Sequence, residues 1–153
     1  MRVLLLIPLF SVVAFSLKGQ NVNWLSFEQL DSAMAAEPKP VFVEFYTSWC
    51  AYCKKMEQES FNHPEIVKEL AAYYAVRFDA ESKEAVMFDG LNYSGLEGQR
   101  FHPIVNLLAT RKNSVFAPPV LVFLNRDMMI QGRSFAYMSR AELKKSLRSF
   151  SNK

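Results

Sequence analysis

The stretch "PVFVEFYTSWCAYCKKMEQESF", residues 40–61, decides the fold, because an apolar run passes through two cysteines into a segment of helical composition. Residues 40–46 are almost continuously apolar or β-branched, which is typical of a strand covered on both faces. From Cys50 onward, no glycine or proline interrupts the segment. The sequence therefore predicts a buried strand followed by a helix, with Cys50 in the first helical turn and Cys53 one turn further along.

Cys50 and Cys53 are the only cysteines in the chain, and three uses of such a pair compete. A structural zinc site usually needs four ligands, and the remaining candidates, His63 and His102, lack the paired spacing of such sites. A purely structural bridge is disfavoured as well, because closing so short a ring removes little entropy from the unfolded chain. The pair is therefore interpreted as a redox couple.

The position of Cys50 at the helix start indicates which sulfur attacks. A thiolate in the first turn receives backbone N–H groups that have no helical partner, together with the positive end of the helix dipole, and both lower its pKa. Lys54 and Lys55 add positive charge nearby. The sequence thus predicts Cys50 as the nucleophile and Cys53 as the resolving thiol.

Length and charge limit what the rest of the chain can be. With 153 residues, half of them hydrophobic, the chain can bury one ordinary core, so we expect a single compact domain. The 18 basic and 15 acidic residues are spread along the sequence without a run of five like charges. This pattern argues against a nucleic-acid partner.

The N-terminus, "MRVLLLIPLFSVVAFSLKGQ", is interpreted as a secretory signal peptide over residues 1–20. Its apolar part is shorter than the roughly 18–20 residues of a spanning helix, and Pro8 interrupts it. An uncleaved membrane anchor is the alternative, because Leu17 and Lys18 make a poor cleavage site. We expect a mature domain over residues 21–153, without a stable membrane span, in the periplasm or another exported, oxidising space.

With its flanks, the cysteine segment resembles the active-site region of thioredoxin-fold proteins, in which a central strand ends in a Trp-Cys-x-x-Cys-Lys turn and helix. The resemblance covers most of residues 24–150. Residues 58–70, "QESFNHPEIVKEL", are similar to the segment that follows the motif in the C-terminal domain of the reductant transporter DsbD. Residues 79–84 and 118–125 have counterparts in exported bacterial thioredoxin-related proteins. The resemblance implies an α/β thioredoxin-like fold, with a central mixed sheet and helices on both faces.

The resemblance also implies a role for Glu44, which lies six residues before Cys50, where thioredoxins keep a buried acid. The implied role is proton exchange with Cys53, because the resolving thiol must lose a proton before it attacks the mixed disulfide. The alternative is an ordinary strand glutamate that points to solvent.

Two further positions carry implied roles in substrate binding. We expect a cis peptide bond before Pro119, with Pro118 as the alternative position. Such a bond leaves nearby backbone free to pair with a substrate strand. The competing interpretation is an ordinary turn before a strand. Val120 follows where the family usually has threonine. Trp49 is expected to pack the motif and offer apolar surface to a partner, or else to be plain core.

Local signals outside the motif predict the scaffold. Ser26 with Gln29 and Ser139 with Glu142 have the spacing of capping boxes, and Pro64 stands at the first turn of a helix. The expected order is helix, strand, helix, strand, helix, strand, strand and helix.

Residues 82–114 exceed what a minimal thioredoxin requires. Within them, "VMFDGLNY", residues 86–93, predicts a hairpin around Asp89-Gly90, and residues 102–112 predict a helix. The hairpin either decorates the surface or lies near the active face.

The resemblance implies an exported thiol-disulfide oxidoreductase with a Cys-Ala-Tyr-Cys pair that reduces protein disulfides. The alternatives are a dithiol oxidase working in reverse and a non-catalytic thioredoxin-fold binding module. No metal, flavin or nucleotide cofactor is expected. The partners would be protein disulfides or dithiols and an upstream redox protein, and the domain itself is expected to be a monomer. Ala51 and Tyr52 leave the reduction potential open, since the residues between the cysteines help to set it.

Overall fold

The computed structural model describes residues 21–95 and 97–151. The predicted signal peptide, residues 1–20, lies outside the described residues. The strands are β1 (Trp24–Leu25), β2 (Val41–Tyr46), β3 (Tyr74–Asp79), β4 (Val86–Phe88), β5 (Leu91–Tyr93), β6 (Val120–Leu124) and β7 (Ile130–Ser134). The α-helices are α1 (Phe27–Ala36), α2 (Ala51–Met56), α3 (Pro64–Leu70), α4 (Pro103–Leu108) and α5 (Arg140–Phe150), and a π-helical segment (Glu57–Phe61) continues α2.

A five-stranded mixed sheet with the order β1-β3-β2-β6-β7 forms the centre of the domain. The pairs β1/β3 and β2/β3 are parallel, whereas β2/β6 and β6/β7 are antiparallel. The predicted α/β class with a central mixed sheet is confirmed.

Both faces of the sheet are covered, so strand β2 is buried from Val41 through Phe45, as its continuous apolar sequence predicts. Alternate side chains enter two separate cores. Val41, Val43 and Phe45 pack with α1 and α4, and Phe42 packs on the opposite face with α2, α3 and α5. By this alternation, Glu44 belongs to the face that α2 covers.

Helix starts follow the capping signals in the sequence. Both predicted capping boxes form, since Ser26 exchanges hydrogen bonds with Gln29 and Ser139 with Glu142. Pro64 stands in the first turn of α3. The two-residue strand β1 is absent from the predicted order, because so short a strand leaves no periodic pattern.

The predicted hairpin is confirmed as β4 and β5, joined at Asp89 and Gly90, whose φ angles of 52° and 73° are those of a tight hairpin turn. Val86 and Phe88 are buried, and the Phe88 ring lies 5.4 Å from the Phe27 ring of α1. One face of the hairpin is therefore part of the core rather than a solvated decoration.

No helix in the described part of the chain combines the length and the apolar character that crossing a membrane would require.

Candidate active site

The two cysteines lie where strand β2 gives way to helix α2. Cys50 is the N-cap residue of α2 and Cys53 lies within its first turn. They form a disulfide with an S–S distance of 2.12 Å and a Cα–Cα distance of 5.3 Å. The two predicted cysteines are therefore joined as a pair at the start of α2.

The environment of the two sulfurs differs. The backbone N–H of Cys53 donates to the Cys50 sulfur at 3.1 Å, so Cys50 caps its own helix. Cys50 is 4% exposed and Cys53 is 1% exposed. After reduction, the same N–H and the helix dipole would stabilise a thiolate at Cys50, and these contacts support its predicted role as nucleophile.

We expect the reduced protein to be alkylated faster at Cys50 than at Cys53, by at least about tenfold at pH 7, because its thiolate fraction is larger. The Cys50 pKa should lie well below the ~8.5 of a free cysteine. Iodoacetamide labelling over a pH series, read by mass spectrometry of the two cysteines, measures both quantities. Equal rates, or faster labelling of Cys53, would overturn the assignment of roles.

Glu44 is fully buried in the centre of β2, as predicted, and the alternative in which it points to solvent is wrong. Its strand partners are Arg77 on β3 and Leu121 on β6. Among the described residues, neither carboxylate oxygen of Glu44 accepts a hydrogen bond of good geometry. Glu44 is thus a buried acid on the sheet face that helix α2 covers.

Arg77 connects Glu44 to a second carboxylate. Its Nε lies 2.8 Å from Glu44 Oε2, and its two terminal nitrogens donate to the carboxylate of Glu57 at 2.8 and 3.1 Å. Glu57 is the C-cap of α2, and its backbone N–H donates to the carbonyl of Cys53. One arginine therefore links the buried acid of the sheet to the helical turn that follows Cys53.

The two carboxyl groups titrate differently. Burial raises the pKa of Glu44 to about 7, and the nearby Arg77 charge only partly offsets this increase. The hydrogen bond from Arg77 lowers the pKa of Glu57. Of these two carboxyl groups, Glu44 is the one whose pKa lies near neutral pH.

Neither Arg77 nor Glu57 is predicted from the sequence as part of the site. Arg77 interrupts the apolar strand "AVRFDA", and Glu57 follows Cys53 by one helical turn, so each carries a weak local signal. Their meeting depends on the parallel register of β2 and β3, which no local pattern specifies.

The peptide bond between Pro118 and Pro119 is cis, which confirms the prediction of Pro119 over Pro118. Val120 follows at once and pairs with Phe45, five residues before Cys50. Pro119 therefore lies at the end of the sheet where the cysteine segment begins.

Exposed aromatic side chains flank the disulfide. Trp49 is 52% exposed, so its interpretation as plain core is wrong, and Tyr52 is 61% exposed. The Tyr52 ring lies 6.0 Å from the ring of Tyr137, in the segment before α5. The surface around the cysteines thus offers apolar contact area to a partner.

His63 and His102 cap helices. The Nδ1 atoms of His63 and His102 accept the backbone N–H groups of Glu65 and Ile104. His63 is the N-cap residue of α3, and His102 is the N-cap residue of α4.

Comparison with known proteins supports the interpretation of this geometry. A family model described as a thioredoxin-like domain matches residues 27–151. The chain is 22% identical over 115 residues to the thiol:disulfide interchange protein DsbD of Campylobacter jejuni (strain RM1221), which covers 74% of this chain and 17% of that protein. It is 28% identical over 107 residues to DsbD of Yersinia enterocolitica, covering 67% and 18% of the two chains. The chain thus spans about a sixth of the length of these curated relatives.

Solved structures show the same fold. A thioredoxin from Thermus thermophilus superimposes with a TM-score of 0.60 at 21% identity, over 84% of this chain and 86% of that chain. DsbH oxidoreductase gives 0.57 at 22% identity over 86% and 85%. The reduced C-terminal domain of DsbD from Neisseria meningitidis gives 0.54 at 17% identity over 80% and 91%.

Proposed function

Because the chain belongs to the thioredoxin-like family and carries the Cys50–Cys53 disulfide, it is a thiol-disulfide oxidoreductase, and we propose that it reduces protein disulfides in an exported compartment. The single observation that carries this proposal is the disulfide at the start of α2, where one cysteine caps the helix. The signal-like N-terminus supports the compartment, and the relatives described as thiol:disulfide interchange proteins support the exchange chemistry.

The proposed cycle begins with the reduced pair. The Cys50 thiolate attacks one sulfur of the substrate disulfide; the substrate S–S bond breaks, and the leaving thiolate takes a proton from water. Cys53 then loses its proton and attacks the Cys50 sulfur, which releases the second substrate thiolate. Two electrons have passed to the substrate, and the Cys50–Cys53 disulfide has re-formed.

Glu44 is the proposed acceptor of the Cys53 proton. A general base works best when its pKa lies near the working pH, and the pKa of Glu44 is raised to about 7. Glu57 is a poorer base because its pKa is lowered by Arg77. We propose that Arg77 and Glu57 position the Glu44 carboxyl group rather than accept the proton.

The proposed partners are protein disulfides and an upstream redox protein that returns electrons to the Cys50–Cys53 pair. The exposed aromatic surface of Trp49, together with the backbone beside Pro119, is the proposed contact area for both. The domain is proposed to act as a monomer that needs no cofactor besides the cysteine pair.

We expect a reduction potential closer to the roughly −270 mV of thioredoxin than to the roughly −120 mV of DsbA. Equilibration with glutathione or dithiothreitol buffers, followed by trapping and mass spectrometry, measures this value. A turbidity assay of insulin reduction, with dithiothreitol as electron source, tests the activity itself. A potential above roughly −180 mV, without insulin reduction, would contradict the reductase and favour the dithiol oxidase.

A further inference from the structure

Arg100 lies beside the residue that precedes the nucleophile. Its guanidinium carbon is 5.2 Å from the centre of the Trp49 ring and 5.1 Å from that of Phe101. Its Nε donates to one oxygen of Glu81 at 3.1 Å, and the indole N–H of Trp49 donates to the other oxygen at 3.0 Å. A single carboxylate therefore fixes both Trp49 and Arg100 next to Cys50.

The backbone around Arg100 is attached to the segment that follows β3. The ammonium group of Lys83 donates to the carbonyls of Gln99 and Arg100. The backbone N–H of His102 donates to the carbonyl of Ala80 at 2.8 Å, and the N–H of Ala80 donates to the carbonyl of Tyr46 at 2.8 Å. Arg100 is thus positioned through a short chain of hydrogen bonds that leads back to the end of β2.

Close packing also fixes the chain five residues before Arg100. A Cβ atom on Gly95 would lie 2.8 Å from the Cα of Lys83, so a glycine is required for this approach. The side chain of Arg100 is 65% exposed. Within the described residues its two terminal amino groups form no hydrogen bond, and they remain available to a ligand.

An arginine held in this way is suited to bind a carboxylate. The planar guanidinium offers paired donors that match a carboxylate, and stacking on aromatic rings reduces the conformational entropy lost on binding. The carboxylate of Glu81 is shared between the Trp49 indole N–H and the Arg100 Nε, which leaves the two terminal amino groups of Arg100 to face a ligand. These donors favour an acidic ligand.

We propose that Arg100 is a specificity-determining residue, which binds a carboxylate that lies next to the reacting disulfide in the protein substrate. The preferred partner is therefore a disulfide flanked by aspartate or glutamate. This inference rests on the proposed function, because it assumes that a substrate disulfide docks against Cys50 and Trp49.

The test uses three synthetic peptide disulfides that are identical except for two flanking residues, which are acidic, neutral or basic. We expect the parent protein to reduce the acidic peptide with the highest kcat/KM. Arg100→Gln should lower the acidic-to-neutral ratio of kcat/KM about two- to fivefold, the size of one exposed charge pair, mainly through KM. Arg100→Lys should retain part of the ratio, and 0.5 M salt should reduce the ratio in the parent.

Arg126→Gln is the matched control, because it removes the same charge from an exposed side chain. Arg126 lies just beyond the last residue of β6, whereas Pro119 and the cysteine segment lie at the end where β6 begins. It should leave the ratio unchanged. An equal loss for all three peptides in Arg100→Gln would show that Arg100 only supports Trp49, and unchanged kcat/KM values for all three would show that it has no role; either result overturns the inference alone. If the parent reduces none of the peptides, the proposed function is wrong and the inference fails with it.

Discussion

Cys53→Ser should convert the protein into a covalent trap for its substrates. Cys50 keeps its place as the N-cap of α2 and can still attack a disulfide, but no second thiol remains to release the mixed disulfide. We expect steady-state insulin reduction to fall by at least about 10³-fold, since the cycle stops after its first half. Non-reducing gels of the exported fraction should show higher-mass species that disappear on reduction.

Cys50→Ser is the matched control for this trap. It makes the same chemical change three residues earlier, at the sulfur that accepts the Cys53 N–H. It should abolish reduction without accumulating mixed disulfides. If Cys50→Ser accumulates the complexes and Cys53→Ser does not, the roles of the two cysteines are reversed; if neither variant traps a partner while the parent is active, the two-step cycle is wrong.

The parts of the fold that the sequence predicts are those with strong local signals. The buried strand β2, the capping boxes at Ser26 and Ser139 and the turn at Asp89-Gly90 each depend on residues within a few positions of one another. The cysteine pair belongs to the same class, since its chemistry follows from its spacing and from the helix start. Glu44 and Pro119 are different, because their roles follow only from a resemblance to a family.

The parts of the site that escape prediction involve contacts between distant segments. Arg77 reaches Glu44 because β3 pairs with β2, and the same pairing brings it to Glu57 on the helix above. Arg100 contacts the Trp49 ring although about fifty residues separate them in the sequence, and Tyr137 lies beside Tyr52 although more than eighty residues separate them. Hydrophobic periodicity and capping signals carry no information on such pairs, because they describe one element at a time.

Glu44→Gln should stabilise the fold near neutral pH. The folded-state pKa of Glu44 is about 7, above its ordinary value of 4.5, so the folded protein retains a proton that the unfolded chain has lost. The contribution of Glu44 to the free energy of unfolding should therefore fall as the pH rises from about 4.5 to 7, by up to about 3 kcal/mol, and level off above this range. Glutamine carries no titrating proton, so the variant should lack this decrease and exceed the parent by about 1–3 kcal/mol at pH 8.

Denaturant midpoints at pH 4, 6 and 8 measure this difference. Glu37→Gln is a suitable control, because it makes the same chemical change on an exposed side chain just after α1. At pH 4 the parent and Glu44→Gln should be nearly equally stable, since the glutamate is protonated in both the folded and unfolded states. If the stability difference between Glu44→Gln and the parent does not grow between pH 4.5 and 7, the buried carboxyl group is already ionised at acidic pH.

The same substitution should slow the release of the mixed disulfide, because glutamine cannot accept the proton of Cys53. General bases contribute about 10²–10⁴-fold to such steps, so we expect single-turnover reduction of a peptide disulfide to slow by at least about 100-fold at pH 7. The deficit should shrink as the pH rises toward 9, where Cys53 ionises without a base. A more stable yet slower enzyme would separate a catalytic role for Glu44 from a structural one. Unchanged turnover across pH 6–8 would mean that Glu44 is a buried strand residue and that Cys53 loses its proton by another route.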